Sequence, residues 1–181
     1  MNIVIASDLH GAKKPVERLK DIVEREKPEA LLLLGDLLYH GPRNDLPESY
    51  CPKEVIRLLS EMKDIIISVR GNCEAEVDQM VLPFSCMSDS NMLIADKKRI
   101  FMTHGHVFSF EKHPDNIDVI MQGHTHLPVL RRENGVIWLN PGSTSIPKGG
   151  NPPSYAIWDG KKIELRELYS DVVISCLEIQ E

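Results

Sequence analysis

With 181 residues, 42% of them hydrophobic, the chain is long enough to bury one sizeable core, so a single domain over 1–181 is expected. Its net charge of −6 offers no general attraction to long nucleic acid or an anionic membrane surface. No apolar run approaches the roughly 20 residues that cross a bilayer, and the start, AsnIleValIleAlaSerAsp, lacks the charged and apolar stretches of a signal peptide.

Ile3 to Ser7 is a short apolar strand that runs into AspLeuHisGly. Pro15 suits the first turn of a helix, along which Val16, Leu19, Ile22 and Val23 form one apolar stripe. Ala30 to Asp36 reads AlaLeuLeuLeuLeuGlyAsp, an apolar run long enough for a strand buried on both faces and too short for most helices. Strand–helix–strand order favours parallel pairing with a right-handed crossover. The polar stretch from His40 to Cys51 is about twice the usual length of a strand-to-helix loop, which makes it a candidate for substrate contact; a subunit contact or simple edge cover is the plain alternative. Pro52 opens a second helix with Val55, Leu59 and Met62 inward. Ile65 to Val69 is a third buried strand entering ArgGlyAsnCys, and a short helix with Val77, Met80 and Val81 inward stops at Pro83.

The pattern then changes. Met92 to Ala95 and Ile100 to Thr103 read as neighbouring strands, and Ile117 to Gln122 as another that enters GlyHisThrHis. Val129 to Arg131 and Val136 to Leu139 flank GluAsnGly, a hairpin signal, and Ser154 to Asp159 and Ile163 to Leu168 flank AspGly. Val172 to Ile179 adds a last strand. The expected architecture is an α/β two-sheet β-sandwich flanked by α-helices on the outside.

Five strand ends carry metal-ligand side chains: Asp8 with His10, Asp36, Asn72, His104 with His106, and His124 with His126. Five of the seven histidines fall in these stretches, whereas His40 and His113 read as ordinary loop residues. In extended chain, residues i and i+2 point the same way roughly 6.5 Å apart, so His124 and His126 can face one pocket yet serve different ions. Two ions in a hydrolytic pair need a bridging ligand, and Asp36 is the carboxylate best placed for it. Imidazole, carboxylate and amide without thiolate clusters suit Mn, Fe, Zn, Co or Ni. Two divalent ions against Asp8 and Asp36 leave the site at about +2, which invites an anionic substrate such as a phosphate ester. Cys51, Cys73, Cys86 and Cys176 show no CxxC spacing, so reduced thiols in a cytoplasm are expected.

The ordered set AspLeuHis, GlyAsp, GlyAsnCys, HisGlyHis and GlyHisThrHis resembles the signature of calcineurin-like metallophosphoesterases, closest to their small bacterial phosphodiesterase type. AspLeuLeuTyrHisGlyProArgAsn, GlyAsnCysGluAlaGluValAspGlnMet and AsnProGlySerThrSerIleProLysGlyGlyAsnPro carry the likeness over nearly the whole chain. The resemblance implies that Asp8, His10 and His126 hold one ion, that Asn72, His104 and His124 hold a second, and that Asp36 bridges them. It also implies manganese, and hydrolysis of a small phosphodiester by a bridging hydroxide. One position departs from the wider superfamily: Cys73 stands where the common form has a histidine thought to protonate the leaving group. A thiol is a weak donor, so esters with acidic leaving groups should be favoured.

Around these, His106 is expected to orient a ligand or meet the phosphate, with a buried structural histidine as the alternative. Arg43, Arg70 and Lys148 are the candidate phosphate-binding cations, Arg43 first, with plain surface charges as the equal alternative. AsnProGlySer at Asn140–Ser143 reads as a backbone device. Trp138, Tyr50 and Phe110 are candidates for a homo-oligomer contact. Two rival functions stand beside the enzyme: a protein-binding scaffold, as in the retromer subunit of this fold, and a nuclease, monoesterase or nucleotide hydrolase. The acidic charge and the lack of a basic groove oppose long nucleic acid.

Overall fold

The computed structural model describes residues 1–179; Gln180 and Glu181 lie outside the described residues. The order begins β1 (Ile3–Ala6), α1 (Lys13–Glu26), β2 (Ala30–Leu33), α2 (Pro52–Glu61), β3 (Ile66–Ser68) and α3 (Glu76–Val81). It continues with β4 (Ser90–Ala95), β5 (Lys98–Thr103), β6 (Val119–Met121), β7 (Pro128–Glu133) and β8 (Val136–Pro141). The last strands are β9 (Ser154–Trp158), β10 (Lys162–Glu167) and β11 (Val173–Glu178). Two sheets result, ordered β11-β10-β9-β1-β2-β3 and β4-β5-β6-β8-β7. The first is not built from the first half alone: β9 returns from the far end of the chain and pairs antiparallel with β1.

The leucine strand explains the layering. Leu31 and Leu33 point to the side covered by α1 and α2, where they meet Val16, Leu19, Ile22, Val55 and Leu59. Leu32 and Leu34 point between the sheets, against Met102, Val119, Met121 and Leu139. All four leucines are fully buried, and truncating any one to Ala should cost about 2–5 kcal/mol.

Among the described residues, helices cover only the first sheet. The outer face of the second is closed by the 104–118 loop, whose Phe110 stacks on Trp138 with ring centroids 4.7 Å apart. Phe110 is therefore core rather than a subunit contact. A second correction concerns α3: its Val77, Met80 and Val81 are 59%, 83% and 44% exposed, not inward. Leu82 and Cys86, just beyond the helix, fill the core instead, while the Gln79 side chain ties the turn to Phe84 and Cys86.

Strands β1, β2 and β3 run parallel, as do β5, β6 and β8. Their carboxyl ends bear the loops that carry Asp8 and His10, Asp36, Asn72, His104 and His106, and His124 and His126. This is the edge at which open parallel sheets bind ligands, here supplied by both sheets of the sandwich.

Candidate metal centre

Five of the seven expected ligands sit in the left-handed backbone region: Asp8 (φ 55°), His10 (47°), Asp36 (55°), His124 (68°) and His126 (60°). Asp and His tolerate this conformation better than most residues, and such strain gathers at functional sites. The GlyHisThrHis stretch is thus a tight turn, with the Thr125 N–H donating to the Gly123 carbonyl at 2.8 Å, not the extended segment its spacing suggests. From this turn the His124 ring reaches His104 and the His126 ring reaches Asp8.

One group is Asp8, His10 and His126. Asp8 Oδ1 lies 3.2 Å from His126 Nε2 and 3.6 Å from His10 Nε2, and the two imidazole Nε2 atoms are 3.3 Å apart. The other centres on His104, whose Nε2 lies 3.2 Å from Asn72 Oδ1, 3.3 Å from His124 Nδ1 and 3.5 Å from Asp36 Oδ2. Asp36 Oδ2 is also 3.7 Å from His10 Nε2, so this carboxylate stands between the groups.

Three imidazoles are turned by main-chain carbonyls. His10 Nδ1 donates to Tyr39 O at 2.8 Å, His104 Nδ1 to Leu34 O at 2.6 Å, and His126 Nδ1 to Ile146 O at 2.6 Å. Each bond places a proton on Nδ1 and aims Nε2 inward, the usual arrangement behind a metal-binding histidine. Asp8 Oδ1 is buried and has no hydrogen-bond partner. A buried carboxylate oxygen left bare in this way is costly unless a cation meets it, and the donor set around it fits divalent ions.

The electrostatics agree. Burial would raise Asp8, but His10, His126 and His104 hold it well below the carboxylate range. Burial likewise works against a charged His104, yet the Asp36 and Asp8 carboxylates outweigh it and lift the group to about 9. Burial and the neighbouring His104 and Arg70 charges hold His106 below its ordinary value.

A family model for the calcineurin-like phosphoesterase superfamily domain matches residues 1–162. The chain belongs to that superfamily. This metallophosphoesterase is 42% identical over 181 residues to "Phosphodiesterase YfcE" of Escherichia coli K12, covering 99% of this chain and 98% of that one. The solved structure of the E. coli Yfce phosphoesterase superposes with a TM-score of 0.97 at 41% identity, covering 99% of this chain and 100% of that chain. Vacuolar Protein Sorting 29 from Cryptosporidium parvum shares the fold at a TM-score of 0.70 and 17% identity, over 99% of this chain and 98% of that chain.

The metallophosphoesterase site also rests on residues that sequence reasoning passed over. Glu74 accepts N–H bonds from Asp36 (2.9 Å), Leu37 (2.6 Å) and Gly71, tying the ends of β2 and β3 together. Its position directly after GlyAsnCys was the available signal. Asn140 and Ser143 are more than backbone devices. Asn140 Nδ2 donates to Gly123 O at 2.8 Å, holding the GlyHisThrHis turn, and the Ser143 and Ser145 hydroxyls donate to Asp8 O at 2.8 and 2.9 Å. Gly123 has a packing reason too, since a Cβ there would collide with Ser7 Oγ and lie 2.7 Å from Asp8 Oδ2.

The remaining expected residues divide. Cys73 donates its N–H to Asp36 Oδ1 at 2.9 Å, and its sulfur groups with ligand atoms of His10 and Asp36 within 4.8 Å. Burial and the Asp36 charge push its thiol up, so it stays protonated. His106 is half-buried, its ring 5.4 Å from that of His104, with Nδ1 unpartnered. Arg70 is tied to Asp89 at 2.5 Å. Arg43 is exposed on the 40–51 loop with no ion pair among the described residues, and Lys148 is exposed on the loop whose backbone meets His126.

Proposed function

We propose that this phosphoesterase, read as one domain, hydrolyses a small phosphodiester with two divalent ions held at the strand ends. The observation that carries the reading is Asp36, whose Oδ2 lies 3.7 Å from His10 Nε2 and 3.5 Å from His104 Nε2. In this reading Asp8, His10 and His126 hold one ion, Asn72, His104 and His124 the other, and Asp36 serves both. When bound, such ions would lower the pKa of an attacking water toward about 7 and offset charge on the phosphoryl oxygens. Manganese is the expected ion, and the same donors accept Fe, Zn, Co or Ni.

The protein's own groups do the rest. The three main-chain carbonyls keep the imidazoles aimed, and the Cys73 N–H fixes the free rotation of Asp36. Neutral His106 stands beside His104 to meet a phosphoryl oxygen, and Arg43 on the rim loop meets the substrate's charge. A diester, with a single charge, suits a site beside which Arg70 is already paired with Asp89. The phosphodiesterase name of the 42% identical E. coli relative supports the same choice. Four free cysteines accord with a cytoplasmic setting, and among the described residues no helix is long and apolar enough to cross a membrane.

The test is hydrolysis of bis(p-nitrophenyl) phosphate by chelated protein before and after single metals are added back. Activity should be absent after chelation and return with Mn²⁺. If no metal restores it, the reading fails and the protein-binding scaffold takes its place.

A further inference from the structure

We propose that the apolar groove beside Cys73 receives one aromatic, uncharged arm of the diester, which makes the substrate class an aryl or similarly flat ester. The inference deepens the phosphodiesterase reading and rests on it. The groove lies open to solvent, offers about 430 Å³ and is lined chiefly by Tyr39, Tyr50, Ile56, Cys73, Val77 and Val81. That volume falls within the range of small-molecule sites.

Two of its walls are joined to the metal centre. Cys73 lines the groove, and its N–H holds Asp36 Oδ1 at 2.9 Å. Tyr39 lines it as well, and its carbonyl takes the His10 Nδ1 proton at 2.8 Å. A phosphoryl group placed at Asp8 and Asp36 therefore has this groove as its continuation past Cys73. The tyrosine wall is braced from behind. The His40 ring meets Tyr39 and Tyr50 edge-on at 4.7 and 5.2 Å, and Gly41 backs onto Cys73, where a Cβ would stand 3.2 Å from the sulfur.

Composition then selects the arm. Val77 and Val81 stay 59% and 44% exposed, apolar surface that a bound ring would cover. Among the groove's lining residues the formal charge is that of Asp78 alone, with no cation. An arm carrying a further phosphate would meet that carboxylate unpaired, whereas a neutral ring meets tyrosine and aliphatic side chains.

The test compares diphenyl phosphate with dimethyl phosphate by calorimetry on Zn²⁺-loaded protein. Wild type should bind the diphenyl ester at least about 10-fold tighter, the scale expected for burying a ring. Val77→Asp and, independently, Val81→Asp should each reduce that preference to about 3-fold or less and leave dimethyl phosphate unchanged. Both positions are exposed, so the variants should keep the wild-type melting temperature. The proposal is overturned if wild type shows no aryl preference, if the preference survives both substitutions, or if both esters weaken together. It is also overturned if sedimentation shows wild type self-associating through this face and either variant released as monomer. Bis(p-nitrophenyl) phosphate turnover on the same metal-loaded samples separates the two levels. Aryl preference without turnover, on these samples and after Mn²⁺ or any other single metal is added back, supports the groove and refutes the phosphodiesterase reading.

Discussion

Glu74 holds Asp36 by its backbone: the Asp36 N–H donates to Glu74 Oε2 at 2.9 Å, beside similar bonds from Leu37 and Gly71. Burial and the Asp36 charge raise Glu74 to about 7, against the pull of those three donors. Glu74→Gln keeps the size but turns an NH₂ toward a backbone N–H. Metal affinity and kcat/KM should both fall, by about 10–100-fold, as for other residues that orient ligands. Metal titration with steady-state kinetics checks this, and unchanged affinity would show that Glu74 does not position Asp36.

Asp36 and Asn72 should differ in what they lose. Asp36 stands between both ligand groups, whereas Asn72 Oδ1 touches only His104. Asp36→Ala should therefore strip both ions, and Asn72→Ala should weaken mainly one. Elemental analysis after dialysis decides it: full metal content in Asp36→Ala would refute the shared role.

Cys73 offers a weak S–H donor near the expected leaving group. Wild type should cleave aryl diesters much faster than alkyl diesters, and Cys73→His should narrow the gap by raising the alkyl rate. Equal rate ratios in the two proteins would remove any part for this position in leaving-group departure.

Metal binding should strengthen with pH. The folded His104 value, about 9, lies above its ordinary 6.5, so the proton's contribution to apo-protein stability is complete below 6.5 and is lost as pH rises through 9. An incoming ion has to displace that proton. Affinity should therefore climb between pH 6.5 and 9 and level off above, as followed by competition with a chromogenic chelator.

Far from the site, Asp171 ties the turn before β11 to α1 and β9. It accepts from Arg18 at 2.6 Å, Arg25 at 2.8 Å and Tyr155 Oη at 2.7 Å. Burial opposes the charge, but Arg25 and Tyr155 hold Asp171 below its ordinary 3.8. Its contribution is thus present above pH 3.8 and lost as pH falls through the lowered folded value. Asp171→Asn tolerates the local φ of 59° and should cost about 1–2 kcal/mol at pH 7 after solvent screening, with little cost in strong acid. Urea denaturation at the two pH values measures it.

The strands, the two outer helices and the list of candidate ligands are legible in the sequence, because each is a local signal. Four leucines before GlyAsp define a strand buried on both sides, and repeated Gly/His/Asp strand ends mark one kind of chemistry. Tertiary structure decided what depends on distant segments. Only the folded chain shows Glu74 reaching across to the Asp36 backbone, Asn140 fastening the GlyHisThrHis turn, and α3 turning Val77 and Val81 outward beside Cys73. A six-residue helix has too few turns for its own periodicity to fix its inward face, and a side chain that bonds a backbone many residues away leaves no mark at its own position. Composition and spacing name the candidate ligands; the packing of two sheets sets how far apart they stand and which atoms face one another.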